Sequence, residues 1–358
     1  MKKRVLLIAD ELRVGGGETY FYKIENNFKS DKIDLFTAAC DGPCFDKINN
    51  KTRFTFLNKS PLKNIFKIIN IVYKNNIDII HANSLRLSML SIPAKILSFG
   101  KVKIFYTKHN LTTLEEIHNK VFSTYINVFI NKVLAVCEID KEAMISKGVN
   151  KNKIEVVANS TDIDYLEFCP RYINKVDETL KIGILARLVD VKNHKFFLDI
   201  IEELQDNKDI KFKAFIGGDG DLFDDIRNEI NERKLDIEMM GNVEAKEFLS
   251  DIDISMLVSK REVFPMSIIE ALSVGSIVIA TNVGGISDCI EDKKTGYLVN
   301  GYNVKDYVRI ISNIYSDKES NCEIIKNGRR LVEERYSLKS MICTLEKIYR
   351  GNNIWKKY

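Results

Sequence analysis

Twice along this chain, short and nearly continuous apolar runs alternate with segments of helical period. That is the pattern a parallel sheet covered on both faces demands. The first series is Val5–Ala9, Ile33–Ala38, Ile77–Ala82, Val102–Thr107, Val133–Val136 and Ile154–Val157. Helical segments such as Glu18–Lys29, Leu85–Phe99 and Lys141–Lys147 fall between them. A polar, irregular stretch with Pro170, residues 158–179, interrupts the rhythm. The alternation restarts with Lys181–Ala186, Phe212–Ile216, Ile237–Met240, Ile254–Val258, Ile277–Ala280 and Tyr297–Val299, and helical stretches near 303–316, 319–335 and 338–350 close the chain. The expected fold class is α/β, two tandem Rossmann-like doubly wound domains. The carboxyl ends of the two sheets are expected to face each other across a cleft.

Charge separates the halves. Residues 1–170 hold 25 Lys and Arg against 18 Asp and Glu, whereas residues 171–358 hold 29 against 32. The basic first half points to an anionic partner, and an anionic membrane surface fits better than nucleic acid, for which no binding motif is present. The opening MKKRVLLIAD starts like a signal peptide, but its apolar run, Val5–Ala9, is short and runs into Asp10 and Glu11. It reads as a first strand. No run of eighteen apolar residues exists to span a membrane. Seven scattered cysteines suggest no disulfide framework, and Cys40 and Cys44 lack the spacing of a zinc site. A reducing cytoplasm is the expected compartment, with the inner membrane face as a peripheral surface.

Several residues could carry chemistry. The loop Val14-Gly15-Gly16-Gly17-Glu18 follows the first strand and opens a helix, a place where backbone N–H groups can meet a phosphate; a flexible turn is the plainer reading. Arg187 and Lys192 follow the strand KIGILA, with Lys192 expected to begin the next helix, and two cations there could hold a diphosphate. The stretch Ser259–Val299 sets Glu262 in a loop, has Pro265 open a helix holding Glu270, and ends that helix at Gly275 before the strand Ile277–Ala280 and the turn Gly284-Gly285. Carboxylates beside free helix N–H groups suit an anion carrying hydroxyls. By periodicity alone, Ser267, Glu270 and Ser273 could as well form a solvent-facing polar stripe. His109 follows a strand of the first half and is either a site residue or an ordinary polar one. Asp251-Ile252-Asp253 looks like a metal-holding pair but stands at a helix end before a buried strand, so no metal is assigned; Asp219 reads as a turn residue. Residues 60–76 mix Lys63, Lys67 and Lys74 with Ile65, Phe66, Ile68, Ile69 and Val72, fitting either a sheet-covering helix or one meeting anionic lipid.

Along nearly its whole length the chain resembles the GT-B glycosyltransferases, specifically glycosyltransferase family four (glycosyl transferases group 1). The most specific match is Glu262 and Glu270 with seven residues between them, then EALSVG, the strand VIAT, Gly284-Gly285 and Thr295-Gly296-Tyr297-Leu298. Ala186-Arg187-Leu188 with Lys192 matches the family's diphosphate motif, Gly15–Gly17 its early loop, and His109 its cleft histidine. Ala158-Asn159-Ser160-Thr161-Asp162 corresponds to its interdomain motif but keeps only Asn159 and Asp162. Two further departures are Pro265, where the family has glycine after the phenylalanine, and Ala186, which replaces the glycine before Arg187.

The resemblance implies an acceptor-side domain over residues 1–165, a donor domain over 175–337, and a helical tail, 338–358, packing back toward the first. It implies retaining transfer from a nucleoside-diphosphate sugar, UDP-sugar first, without metal or cofactor, to a glycan or lipid-linked glycan in surface polysaccharide synthesis. Glu262, His109, Arg187 and Lys192 would be catalytic. Gly16, Gly17, Arg187, Lys192, Pro265, Met266, Ser267 and Glu270 would bind the donor, with Glu262 toward the sugar and Glu270 on the ribose. A UDP-sugar 2-epimerase of the same fold and a non-catalytic nucleotide-sugar-binding protein are the alternatives.

Overall fold

The computed structural model describes residues 2–12, 16–49, 53–57, 59–174, 179–207 and 209–351; Val14 and Gly15 of the glycine loop lie outside them. The chain divides into two compact units, Met1–Asn159 with Leu338–Tyr358, and Ser160–Ser337.

The strands of the first unit are β1 (Lys3–Glu11), β2 (Ile33–Cys40), β3 (Phe54–Phe56), β4 (Ile79–Ala82), β5 (Lys103–Lys108), β6 (Lys132–Ala135) and β7 (Ile154–Val156). They form one parallel sheet in the order β3-β2-β1-β4-β5-β6-β7. Its helices are α1 (Gly16–Asn27), α2 (Pro61–Asn75), α3 (Leu85–Leu90), α4 (Ile92–Leu97), α5 (Thr113–Ile117), α6 (Asn119–Phe129) and α7 (Glu138–Ser146). Side chains of a strand alternate between faces, and in β1 both sets are apolar. Val5, Leu7 and Ala9 pack with Phe21 and Ile24 of α1, whereas Leu6 and Ile8 pack with Ile68, Ile71 and Val72 of α2. A strand buried on both faces needs crossover helices on both, which enforces parallel pairing.

The second unit holds α8 (Arg171–Asn174), β8 (Leu180–Leu185), α9 (His194–Gln205), β9 (Phe212–Gly217), α10 (Phe223–Arg233), β10 (Ile237–Gly241), α11 (Ala245–Ser250) and β11 (Ile254–Leu257). It continues with α12 (Met266–Val274), β12 (Ile277–Thr281), α13 (Ile286–Cys289), β13 (Tyr297–Val299), α14 (Val304–Ser316) and α15 (Lys318–Leu331). Its six strands are parallel in the order β10-β9-β8-β11-β12-β13. The last helix, α16 (Leu338–Arg350), belongs to the first unit. It buries Met341, Leu345, Ile348 and Tyr349, one stripe at helical spacing, in the core beneath β1.

Three expectations need correction, and one strand was not expected. Leu85–Phe99 is two helices rather than one, because Pro93 cannot donate into a continuous ladder and starts a new helix after Ser91. Phe54–Phe56 forms an edge strand that three residues are too few to announce. Lys192 ends a 3-10 turn, Asp190–Lys192; Asn193 then turns left-handed at φ 58° and α9 begins at His194. The expected 319–335 helix is α15 followed by a wider π turn, Val332–Tyr336.

Both sheets share one topological property. Reading outward from β1, the strand order runs to β2 and β3 on one side and to β4 and β5 on the other. The second sheet does the same between β8 and β11. At such a reversal the loops leaving two adjacent strands diverge to opposite faces, leaving room for a ligand at their carboxyl ends. The sequence candidates gather at these two places.

Candidate functional site

In the first unit, Gly17, Asn83 and His109 follow the carboxyl ends of β1, β4 and β5, three adjacent strands. The Asn83 backbone N–H donates to the carbonyl of Ile8 (2.9 Å), pinning the residue to β1. Its side-chain amide donates to the Gly17 carbonyl (2.7 Å), and its oxygen lies 2.9 Å from Nε2 of His109. The Tyr20 ring meets the imidazole edge-on at 4.9 Å between centroids. A Cβ on Gly17 would sit 3.4 Å from Cδ2 of the same ring. Burial lowers the His109 pKa to about 4, so the ring is neutral near pH 7. His109 is therefore a held member of a polar group. Gly16 precedes Gly17 and opens α1.

Behind this group runs a buried chain of hydrogen bonds. Tyr349 of α16 bonds Nδ1 of His81 (2.5 Å), His81 Nε2 bonds Thr107 Oγ1 (2.5 Å), and Thr107 Oγ1 lies 3.4 Å from the Tyr20 hydroxyl. Burial, with His109 nearby, pushes the His81 pKa down to about 3. Beside His109 along the chain, Lys108 is fully buried and pairs with Asp140 and Glu115 (3.3 Å). These pairs tie the end of β5 to α5 and α7.

In the second unit, the loops leaving β8 and β11 meet through Lys192 and Glu262. Lys192 Nζ lies 2.5 Å from Glu262 Oε1, which also accepts from Ser259 Oγ at 2.7 Å. Both charged side chains are mostly buried, at 19% and 9% exposure, so the pair is only weakly screened. The Glu262 backbone is fixed as well. Gly285 N–H approaches its carbonyl at 3.4 Å, and Gly284 turns left-handed at φ 54°, where a Cβ would fall 1.8 Å from the same oxygen. Only glycine permits that approach. Arg187, by contrast, is exposed, and its side chain has no hydrogen bond or ion pair among the described residues.

Helix α12 carries the remaining candidates. Pro265 is its N-cap residue, Met266 and Ser267 form its first turn, and Glu270 is half-buried one turn on. The expected solvent-facing stripe is not there: Ser273 is fully buried and donates to the Ile269 carbonyl (2.5 Å). The helix is covered on nearly every side, and Gly275 caps it at φ 92°, where a Cβ would crowd Pro170. Both aspartates of Asp251-Ile252-Asp253 face cations. Asp253 pairs with Arg171 and accepts the Lys181 N–H (2.9 Å), while Asp251 pairs with Lys181 (2.5 Å). Asp219 caps its own turn, accepting from Gly220 N–H at 2.8 Å.

With the geometry in place, comparison with known proteins gives the family. The family model described as Glycosyltransferase Family 4 matches residues 14–165, and that described as Glycosyl transferases group 1 matches residues 170–331. The chain belongs to glycosyltransferase family four. This glycosyltransferase is 23% identical over 338 residues to the UDP-Gal:alpha-D-GlcNAc-diphosphoundecaprenol alpha-1,3-galactosyltransferase of Escherichia coli, covering 86% of each chain. It is 28% identical over 233 residues to the capsular polysaccharide biosynthesis glycosyltransferase CapH of Staphylococcus aureus, covering 61% of this chain and 63% of CapH. Among solved structures, Anabaena HepE in complex with UDP-glucose aligns over 97% of this chain and 99% of its own, with a TM-score of 0.80 and 18% identity. That likeness is one of fold, the GT-B arrangement of two parallel-sheet α/β units.

Sequence reasoning missed Asn83, Tyr20 and Ser259. Each is a polar residue close to a strand end or helix start, and strand order was the absent information. Knowing that β1, β4 and β5 are neighbours would have singled out Asn83 in HANS. Among the described residues, no helix of the glycosyltransferase is long and apolar enough to cross a membrane.

Proposed function

We propose that this glycosyltransferase moves a sugar from a UDP-sugar, with retention and without a metal, to a glycan or lipid-linked glycan during surface polysaccharide synthesis. The observation that carries the reading is the Lys192–Glu262 pair at the β8/β11 reversal, with Arg187 unpaired in the same β8 loop. As the glycosidic bond breaks, the leaving diphosphate gains negative charge. Lys192, Arg187 and the first-turn N–H groups of α12, at Met266 and Ser267, would offset it. Glu262, oriented by Ser259 and the Gly284 turn, would hold the sugar, and Glu270 the ribose hydroxyls. Pro265 gives up an N–H at this end of α12, so the sugar or phosphate contact there differs from the family pattern. Gly16 and Gly17 at the start of α1, with His109, would serve the transfer from the first unit. A single carboxylate for the sugar supports front-face transfer over the two-carboxylate route of retaining hydrolases. Arg171 and Lys181 pair with Asp251 and Asp253, which supports the metal-free reading.

The HepE complex with UDP-glucose supports the donor class, and the named activities of the Escherichia coli and Staphylococcus aureus relatives support the acceptor class. For the acceptor side we look to the outer face of α2. The helix covers its sheet with Ile68, Ile71 and Val72, yet leaves Leu62 (70% exposed), Phe66 (73%), Tyr73 and Lys63 facing outward. Apolar and cationic groups on one helix face suit an anionic membrane surface.

The test is a panel of nucleotide sugars screened by thermal shift, followed by transfer to polyprenyl-diphosphate-linked glycan. A ligand at a hundred times its dissociation constant stabilises by about 2.7 kcal/mol. Proton NMR of the product reads the anomeric configuration. An inverted product rejects retention, and epimerisation of donor incubated alone replaces transfer with the epimerase reading.

A further inference from the structure

We propose that Asn83 is a positioning residue that holds His109 in its Nε2–H form, so that Nδ1 presents a lone pair to a hydroxyl of the sugar substrate. The argument does not depend on how the Asn83 amide is drawn. The Gly17 carbonyl can only accept, so the Asn83 side-chain atom 2.7 Å from it is the amide nitrogen. The other end of the amide is then oxygen, which can only accept. It lies 2.9 Å from His109 Nε2, so that nitrogen must carry the proton.

Asn83 fixes the one proton of the neutral ring on Nε2, which leaves Nδ1 bare; the residue as a whole is half-buried, and its lowered pKa agrees with a single proton near pH 7. Nδ1 is itself buried and meets no hydrogen-bond donor among the described residues. A buried acceptor without a donor is costly in a folded chain, and such a group beside other candidate residues marks a place for a ligand hydroxyl. The ring cannot easily turn away to satisfy itself. Gly17 lies against one edge, the Tyr20 ring meets it edge-on, and Asn83 is pinned through its own N–H to Ile8. The second half of the inference, the hydroxyl contact, rests on the reading that His109 serves the transfer; the first half does not.

The experiment is 15N NMR of the full chain labelled at histidine, with His109 assigned by the signal lost in His109→Gln. The expected spectrum shows Nε2 protonated and Nδ1 bare, and adding UDP-sugar and acceptor shifts Nδ1 toward a hydrogen-bonded value. Asn83→Leu should mix the two tautomers and lower kcat about tenfold or more, while UDP affinity stays within about twofold. Asn83→Asp keeps an acceptor facing Nε2 but loses the donor to the Gly17 carbonyl, so it should retain more of the activity than Asn83→Leu and less than the unaltered chain. A protonated Nδ1 in the unaltered chain, or an Asn83→Leu variant with unchanged kcat, overturns the proposal. Should the tautomer be as expected while His109→Ala transfers normally, the hydroxyl contact falls and the hold of Asn83 on the ring stands.

Discussion

The two units solve the same problem at the same place with opposite electrostatics. At the β1/β4 reversal the first unit assembles a neutral group: a carbonyl, an amide and an uncharged imidazole, joined by hydrogen bonds of 2.7 and 2.9 Å. At the β8/β11 reversal the second unit assembles a charged pair, Lys192 with Glu262, and leaves Arg187 exposed in the same loop. A neutral hydrogen-bonded group is fixed before any substrate arrives and barely responds to salt. A lysine paired to a glutamate can exchange its partner when a diphosphate offers more negative charge. On the function proposed above, the first unit would orient and the second would compensate charge.

The strongest way to break that division is to remove the cations. Arg187→Ala combined with Lys192→Ala should lower kcat/KM by about a thousandfold or more, since losing even one preorganised donor to a developing charge costs about a hundredfold or more. Turnover near that of the unaltered chain would withdraw the diphosphate assignment. Replacing the turn that holds Glu262 should act on stability as well as activity. Gly284→Ala puts a Cβ into the Glu262 carbonyl at a left-handed φ and should cost about 2 kcal/mol or more in denaturant unfolding. An unaltered midpoint would show that the Glu262 loop is free to move.

A pH series sharpens the comparison at intermediate scale. His81, His109 and His194 all have pKa values pushed below 6.5 by burial, to about 3, 4 and 4. The unfolded chain binds protons at these positions from about pH 6.5 downward, and the folded chain does not. Their contribution is therefore fully present above pH 6.5 and is lost as pH falls toward 4. Unfolding free energies at pH 7 and pH 5 should differ in that direction; equal values would contradict it.

His194 offers the control in the second unit. Both its ring nitrogens are buried without a partner among the described residues. His194→Leu should be neutral or mildly stabilising at pH 7 and should flatten the pH dependence, because an apolar side chain of similar volume has no polar atoms to strand. The smallest effect concerns α2: Phe66→Ser with Lys63→Glu should leave the melting temperature unchanged and weaken sedimentation with anionic liposomes. Binding that persists undiminished would move any membrane contact elsewhere.

Much of the fold was written in local pattern. The apolar runs marked twelve of the strands to within a few residues, because a strand buried on both faces must be apolar at nearly every position. Pro265 and Gly275 bounded α12 because one cannot donate into a helix and the other accepts a left-handed cap. The places where local pattern failed are equally specific. Ser273 read as an outward polar position, yet its hydroxyl satisfies the Ile269 carbonyl of its own helix and needs no solvent.

What the sequence by itself determined is most of the elements, their parallel pairing and the charged residues available at strand ends, all properties of neighbours along the chain. Only the tertiary structure decided which strand ends touch: that Lys192 reaches Glu262 seventy positions away, and that Asn83 stands between Gly17 and His109. Periodicity records how a side chain faces its own element and carries no information about which distant element packs beside it. Strand order supplies that, and it turned a glycine, an asparagine and a histidine into one group with a single allowed proton arrangement.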